Sequence, residues 1–167
     1  MKNRINKFII ILFCIFIFLL FSIYKHEFVL MSAPILHKFE IDENYYLGYF
    51  LESKGFLTPV LKDANFLKKD GTILSKKSKD EYLIDVLIDT KNHTGIVREN
   101  DISKKINNYI PIDNYVVKNK TLNLVFRFKI KKEEAFKDIE AIILDYTILG
   151  LKRRSIIKIE SPVVSVN

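Results

Sequence analysis

Two hydropathy regimes divide the chain. From Phe8 to Tyr24, seventeen residues (FIIILFCIFIFLLFSIY) carry no charge, glycine or proline, so a helix there would be apolar on every face. At about 1.5 Å per residue such a helix rises roughly 26 Å, near the lower limit for crossing a hydrocarbon core of about 30 Å. Beyond it, apolar and polar positions alternate with period two, the mark of strands that bury one face. Between Leu122 and Ile130, Leu122, Leu124, Phe126, Phe128 and Ile130 point one way, against Asn123, Arg127 and Lys129. The stretch Tyr82 to Asp89 sets Tyr82, Ile84, Val86 and Ile88 against Asp85 and Asp89. Ile35 to Ile41 repeats the pattern through His37 and Phe39. Tyr45 to Leu51 is apolar on both faces, which predicts a central or covered strand.

Turn residues separate these runs. Lys69-Asp70-Gly71-Thr72 predicts a hairpin whose two central residues need positive φ, and Gly150 divides Ile139 to Leu149 from Arg153 to Ile159. Gly55 and Pro59 bracket another bend. Asn100 to Asn107 and Lys132 to Lys137 read as short polar helical connections. The expected fold is all-β: an antiparallel, Ig-like sandwich of about seven or eight strands, with a barrel as the alternative. With no tryptophan and its lone cysteine, Cys14, inside the apolar run, the chain has neither the Ig disulfide nor the Ig core Trp.

Charge sets an expected topology. Lys2, Arg4 and Lys7 precede the run and no acid appears before Glu27, which predicts a cytoplasmic start and an extracytoplasmic remainder. The expected division is residues 1–7 as the basic start, 8–24 as a retained transmembrane signal anchor, 25–33 as a juxtamembrane spacer and 34–167 as one extracytoplasmic domain. Secretion after signal cleavage is the alternative, but neither Ala33, with Met31 two positions earlier, nor Ser22, with Leu20, resembles an A-x-A site. Three of the seven excess positive charges belong to the first seven residues, so the net charge of +7 is partly topology. Together with the outside location, this argues against nucleic acid as a partner.

Candidate chemistry is thin, and the sequence points to no cofactor, metal or catalytic set. Of the histidines His26, His37 and His93, no two have the spacing of a helical zinc site. No serine sits in a G-x-S-x-G elbow. Asp85 and Asp89 share a strand face but lie roughly 13 Å apart, too far for a glycosidase pair. Asp42, Glu43 and Asn44 lack the EF-hand pattern. Two groups remain as binding candidates. Tyr45, Tyr46, Tyr49 and Phe50, with Phe56 nearby, would form a carbohydrate or peptide strip if exposed, although core packing explains them equally. Lys152, Arg153 and Arg154 would contact an anionic lipid or wall polymer.

The basic start and short apolar helix, followed by Tyr46-Leu47-Gly48-Tyr49, Ser53, Gly55-Phe56, Pro59 and Lys69-Asp70-Gly71-Thr72, resemble small membrane-anchored extracytoplasmic proteins of Bacillus-type Gram-positive bacteria. The similarity covers most of the chain, and its motifs are turns and core residues rather than a site. It implies an envelope setting. The expected role is binding rather than catalysis: an adaptor for another envelope protein, or alternatively a small hydrolase or a sensor of an anionic wall polymer or lipid.

Overall fold

The computed structural model describes residues 2–35, 40, 42–75, 83–91, 95–101, 108–129 and 138–159. Helix α1 (Lys2–Tyr24) is long and apolar enough to cross a membrane. After it come β1 (Glu27–Ser32), β2 (Asn44–Lys54), β3 (Val60–Lys68), β4 (Ile73–Leu74) and β5 (Leu83–Asp89). The chain continues through β6 (Ile96–Arg98), a 3-10 turn (Glu99–Asp101), β7 (Tyr109–Pro111), β8 (Thr121–Lys129), β9 (Ile139–Ile148) and β10 (Leu151–Lys158).

Among the described residues these ten strands form two antiparallel sheets. One runs β1-β2-β8-β5-β7. Because β8 occupies one edge of β2, β1 and β6 divide the other, at Phe50–Lys54 and Tyr45–Leu47. The second sheet runs β10-β9-β3-β4. The expected seven or eight strands become ten because β1 occupies the expected spacer and β6 and β7 are three residues long, too short to carry a period.

Alternation assigns the inner faces. Tyr45, Leu47, Tyr49 and Leu51 of β2 and Leu122, Leu124, Phe126 and Phe128 of β8 meet Leu61, Phe66, Leu144 and Tyr146 from the other sheet in one core. Phe66 stacks on Phe126 at 4.1 Å between ring centres, with Tyr49 edge-on to both. Burial drives the Tyr49 hydroxyl far above the ordinary phenol range. The other face of β2 is also covered, as its apolar sequence predicts: Tyr46 packs with Val97 and Val125, against Leu87 and Tyr109.

Three expectations need correction. The 25–33 spacer is instead β1, an edge strand paired with β2, and the core reaches back to Ile23 in the helix. In β5 a register shift between Leu83 and Asp85 turns Ile84 outward, while Asp89 is buried rather than solvated. The Asp70-Gly71 turn has positive φ at Gly71 alone. Gly71 N–H bonds the Lys68 carbonyl and Lys68 N–H the Thr72 carbonyl, giving a three-residue loop with a glycine bulge. Positive φ at both central residues occurs instead at Leu149-Gly150. The expected strand at 35–41 and the two helical connections fall largely outside the described residues, as do His37 and His93.

Candidate functional site

The outer face of the four-stranded sheet carries a hollow of about 570 Å³ lined by Lys62, Asp145, Tyr146, Thr147, Lys152, Arg153 and Arg154. Strand alternation splits the expected trio here. Lys152 and Arg154 project outward with Asp145 and Thr147, their cross-strand neighbours, while Arg153 points the other way. Arg154 is held in a two-pronged pair by Asp145, at 2.6 and 2.9 Å, which raises the guanidinium pKa further. Arg153 lies over the Tyr24 ring and donates to the Tyr24 carbonyl at 3.5 Å, fastening β10 to the end of the helix. Lys62 donates to Asn114. Lys152, which forms no ion pair among the described residues, is therefore the cation best placed to meet an anion in the hollow.

The aromatic candidates form no strip. Tyr45, Tyr46 and Tyr49 are buried and Phe50 is half-buried, because β2 is central and covered on both faces. Phe56 alone of this group stands in the open. Asp42 pairs with Lys129 at 3.4 Å and the Asn44 amide donates to Glu99, so this trio does not converge on a cation. Among the described residues no cluster of three or more His, Cys, Asp or Glu could hold a metal ion.

Two polar groupings escape sequence reasoning. In the first, the Glu99 carboxylate accepts from Asn44, Arg127 and the Tyr46 hydroxyl, while Arg127 lies over the Tyr46 ring. The hydrogen bond from Asn44, then Arg127, holds that carboxyl below its ordinary range. These partners come from two strands and a turn, and only the fold joins them. In the second, His26 is buried, with Nε2 3.0 Å from Ser53 Oγ and its ring between Phe28 and Tyr146. Burial, then the Arg153 charge, lowers its pKa, which keeps it neutral. The Tyr146 hydroxyl donates to the His26 carbonyl at 3.4 Å. A Ser-His contact is the start of a nucleophile and its base, but a third group must orient the base. Among the described residues Nδ1 of His26 is buried without a partner, and the contact ties the helix end to β2. Its one sequence signal is register: Ser53 lies two and four residues beyond the core positions Leu51 and Tyr49.

The near side of that tie is tight. A Cβ on Gly55 would come within 2.5 Å of His26 Cδ2, so the bend after β2 requires glycine. Searches against protein-family models, curated proteins and solved structures find no match to this chain.

Proposed function

We propose that this chain is a single-pass, membrane-anchored binding or adaptor module of the cell envelope, non-catalytic, with its β domain outside the membrane. One observation carries the reading: the last turn of the helix packs into the core of the domain. Ser22, Ile23 and His26 are buried, and Ile23 belongs to the same core as Phe28 and Tyr146. Cleavage after Ala33 would remove β1 and Phe28 with it, which favours a retained anchor over secretion. The fold we assign is an Ig-like sandwich. Its support is strand order: β1-β2-β8-β5 opposite β10-β9-β3-β4 follows the A-B-E-D and G-F-C arrangement, with β4 as an added edge.

An adaptor needs a surface for its partner. Strand β10 ends its sheet, pairing with β9 alone among the described residues, and its outer edge, beside β1, is the place we propose for strand addition. Crosslinking in intact cells with mass spectrometry of the purified protein is expected to recover a specific envelope protein. External protease should remove the β domain from wall-stripped cells. Protection of that domain overturns the topology, and recovery of no specific partner removes the adaptor reading.

The hollow at Lys62 and Lys152 favours a second reading, contact with an anionic wall polymer. Binding of polyglycerol phosphate that is lost on Lys152→Glu supports it, whereas unchanged binding rejects it.

A further inference from the structure

The strands fix which end of the domain faces the helix. β1 leaves the helix at Glu27, opposite Lys54, so the loop after β2 lies at that end. Leu151 pairs with Ile148 and Arg153 with Tyr146, while Arg153 touches Tyr24, which puts the β9–β10 turn there too. The Lys118–Lys120 segment joins them, since the Lys120 carbonyl accepts from Ser53 N–H.

Those loops are apolar where solvent would demand otherwise. Phe56 is 84% exposed, Leu149 65% and Leu151 53%. Phe56 also reaches down the helix, its ring 6.3 Å from that of Phe18. Phe18 precedes the helix end by six residues, or about 9 Å of rise. Leu19, half-buried, and the buried Ser22 and Ile23 put the domain along the same final turns. The apolar run, roughly 26 Å long, has no length to spare across a hydrocarbon core of about 30 Å. A helix that spans must therefore keep Tyr24 at the membrane boundary, and a side chain level with Phe18 lies below it. Exposed lysines ring this end: Lys25, Lys54, Lys118, Lys120 and Lys152. Long cationic side chains at that height extend to phosphate head groups.

We propose that the helix-proximal end of the domain is a lipid-binding surface, in which Phe56, Leu149 and Leu151 insert into the leaflet beside the helix while the surrounding lysines meet anionic head groups. The inference rests on the single-pass reading. It makes the bilayer a second support for the domain, in addition to the tether.

The chain contains no tryptophan, so a single introduced Trp reports without background. Phe56→Trp, Leu151→Trp, Phe16→Trp in the helix and Ile156→Trp on the outward face of β10 are all at exposed positions and should fold. The full chain is reconstituted in vesicles of phosphatidylcholine and phosphatidylglycerol, with bromine carried in the upper acyl chain or deeper. Trp at 56 and at 151 is expected to emit at shorter wavelength and to be quenched most by the shallow bromine, with Trp at 156 unquenched. Quenching at 16 without quenching at both 56 and 151 overturns the lipid surface and leaves the anchor standing. Quenching at 156 equal to that at 56 also overturns it. No quenching at 16 removes the anchor reading, and the lipid surface with it.

Discussion

The two ends of the domain are built from the same strands and finished in opposite ways. At the far end, charges find opposite charges: Arg98 pairs with Glu40 at 2.7 Å, Lys129 with Asp42, and Arg127 with Glu99. Its hairpin closes on polar residues, Asp70 accepting from Thr72 N–H. At the helix end, Lys118, Lys120 and Lys152 form no ion pair among the described residues, and the hairpin closes on an exposed Leu149 at φ 50°. A leucine there adopts a conformation that costs about 1–2 kcal/mol, where Asn or Gly would relieve it. The far end is finished for water. The near end, on the proposed lipid contact, is finished for a bilayer.

The largest effect expected from breaking this contrast is at the glycines. Gly55→Ala drives a methyl into the buried His26 ring and should cost about 2–3 kcal/mol, read as the thermal midpoint of the full chain in micelles. Gly71→Ala at the far hairpin meets nothing within 4 Å and carries backbone strain alone, about 1 kcal/mol. Equal losses at the two sites would erase the distinction. Next comes Glu99→Gln, which leaves Arg127 without its carboxylate and should cost about 1–2 kcal/mol in the same measurement. Because the folded Glu99 pKa is lowered, its contribution is complete above the ordinary carboxylate range and is lost as pH falls below it, so wild type and variant should converge in acid.

The near end titrates higher. His26 has a folded pKa below the free value of 6.5, so the unfolded chain takes up protons first and stability declines as pH drops through 6.5 toward the lowered value. His26→Gln is expected to flatten that decline, measured as the difference between the two midpoint-versus-pH curves. An unchanged slope would place the His26 ring in water. The smallest effect is at Leu149→Asn, where relief of the left-handed leucine is offset by the lost contact with detergent, so the midpoint in micelles should change by less than about 0.5 kcal/mol.

Sequence patterning revealed the strands that bury one face and are long enough to repeat. β8 is the clearest, since its apolar positions are the core positions of the structure. β1 was hidden by location: EFVLMS directly follows an apolar helix and reads as its trailing edge. Ile84 escaped because a bulge shifts the face on which it falls, and period two has no way to register an extra residue; Asp89 keeps its expected face, which is itself covered. For the candidate sites, alternation alone would have separated Arg153 from Lys152 and Arg154. The Tyr24 contact and the His26-Ser53 tie span 129 and 27 residues of chain and arise only from the docking of helix and strands. The aromatic residues of β2 were ambiguous for a related reason: exposure is decided by what crosses over them.

The docking of Ile23 and His26 into the domain also has a mechanical meaning. If the helix spans as proposed, an apolar run this close to the span limit responds to bilayer thickness, standing upright in a thick membrane and tilting in a thinner one. A flexible spacer would absorb that rotation. Here Ile23 in the last turn packs into the core while Tyr24 and Phe18 touch Arg153 and Phe56, so the helix would act as the shaft of a lever. Thickening or thinning of the bilayer would swing the outer face of the four-stranded sheet, together with anything bound to it, through the same angle.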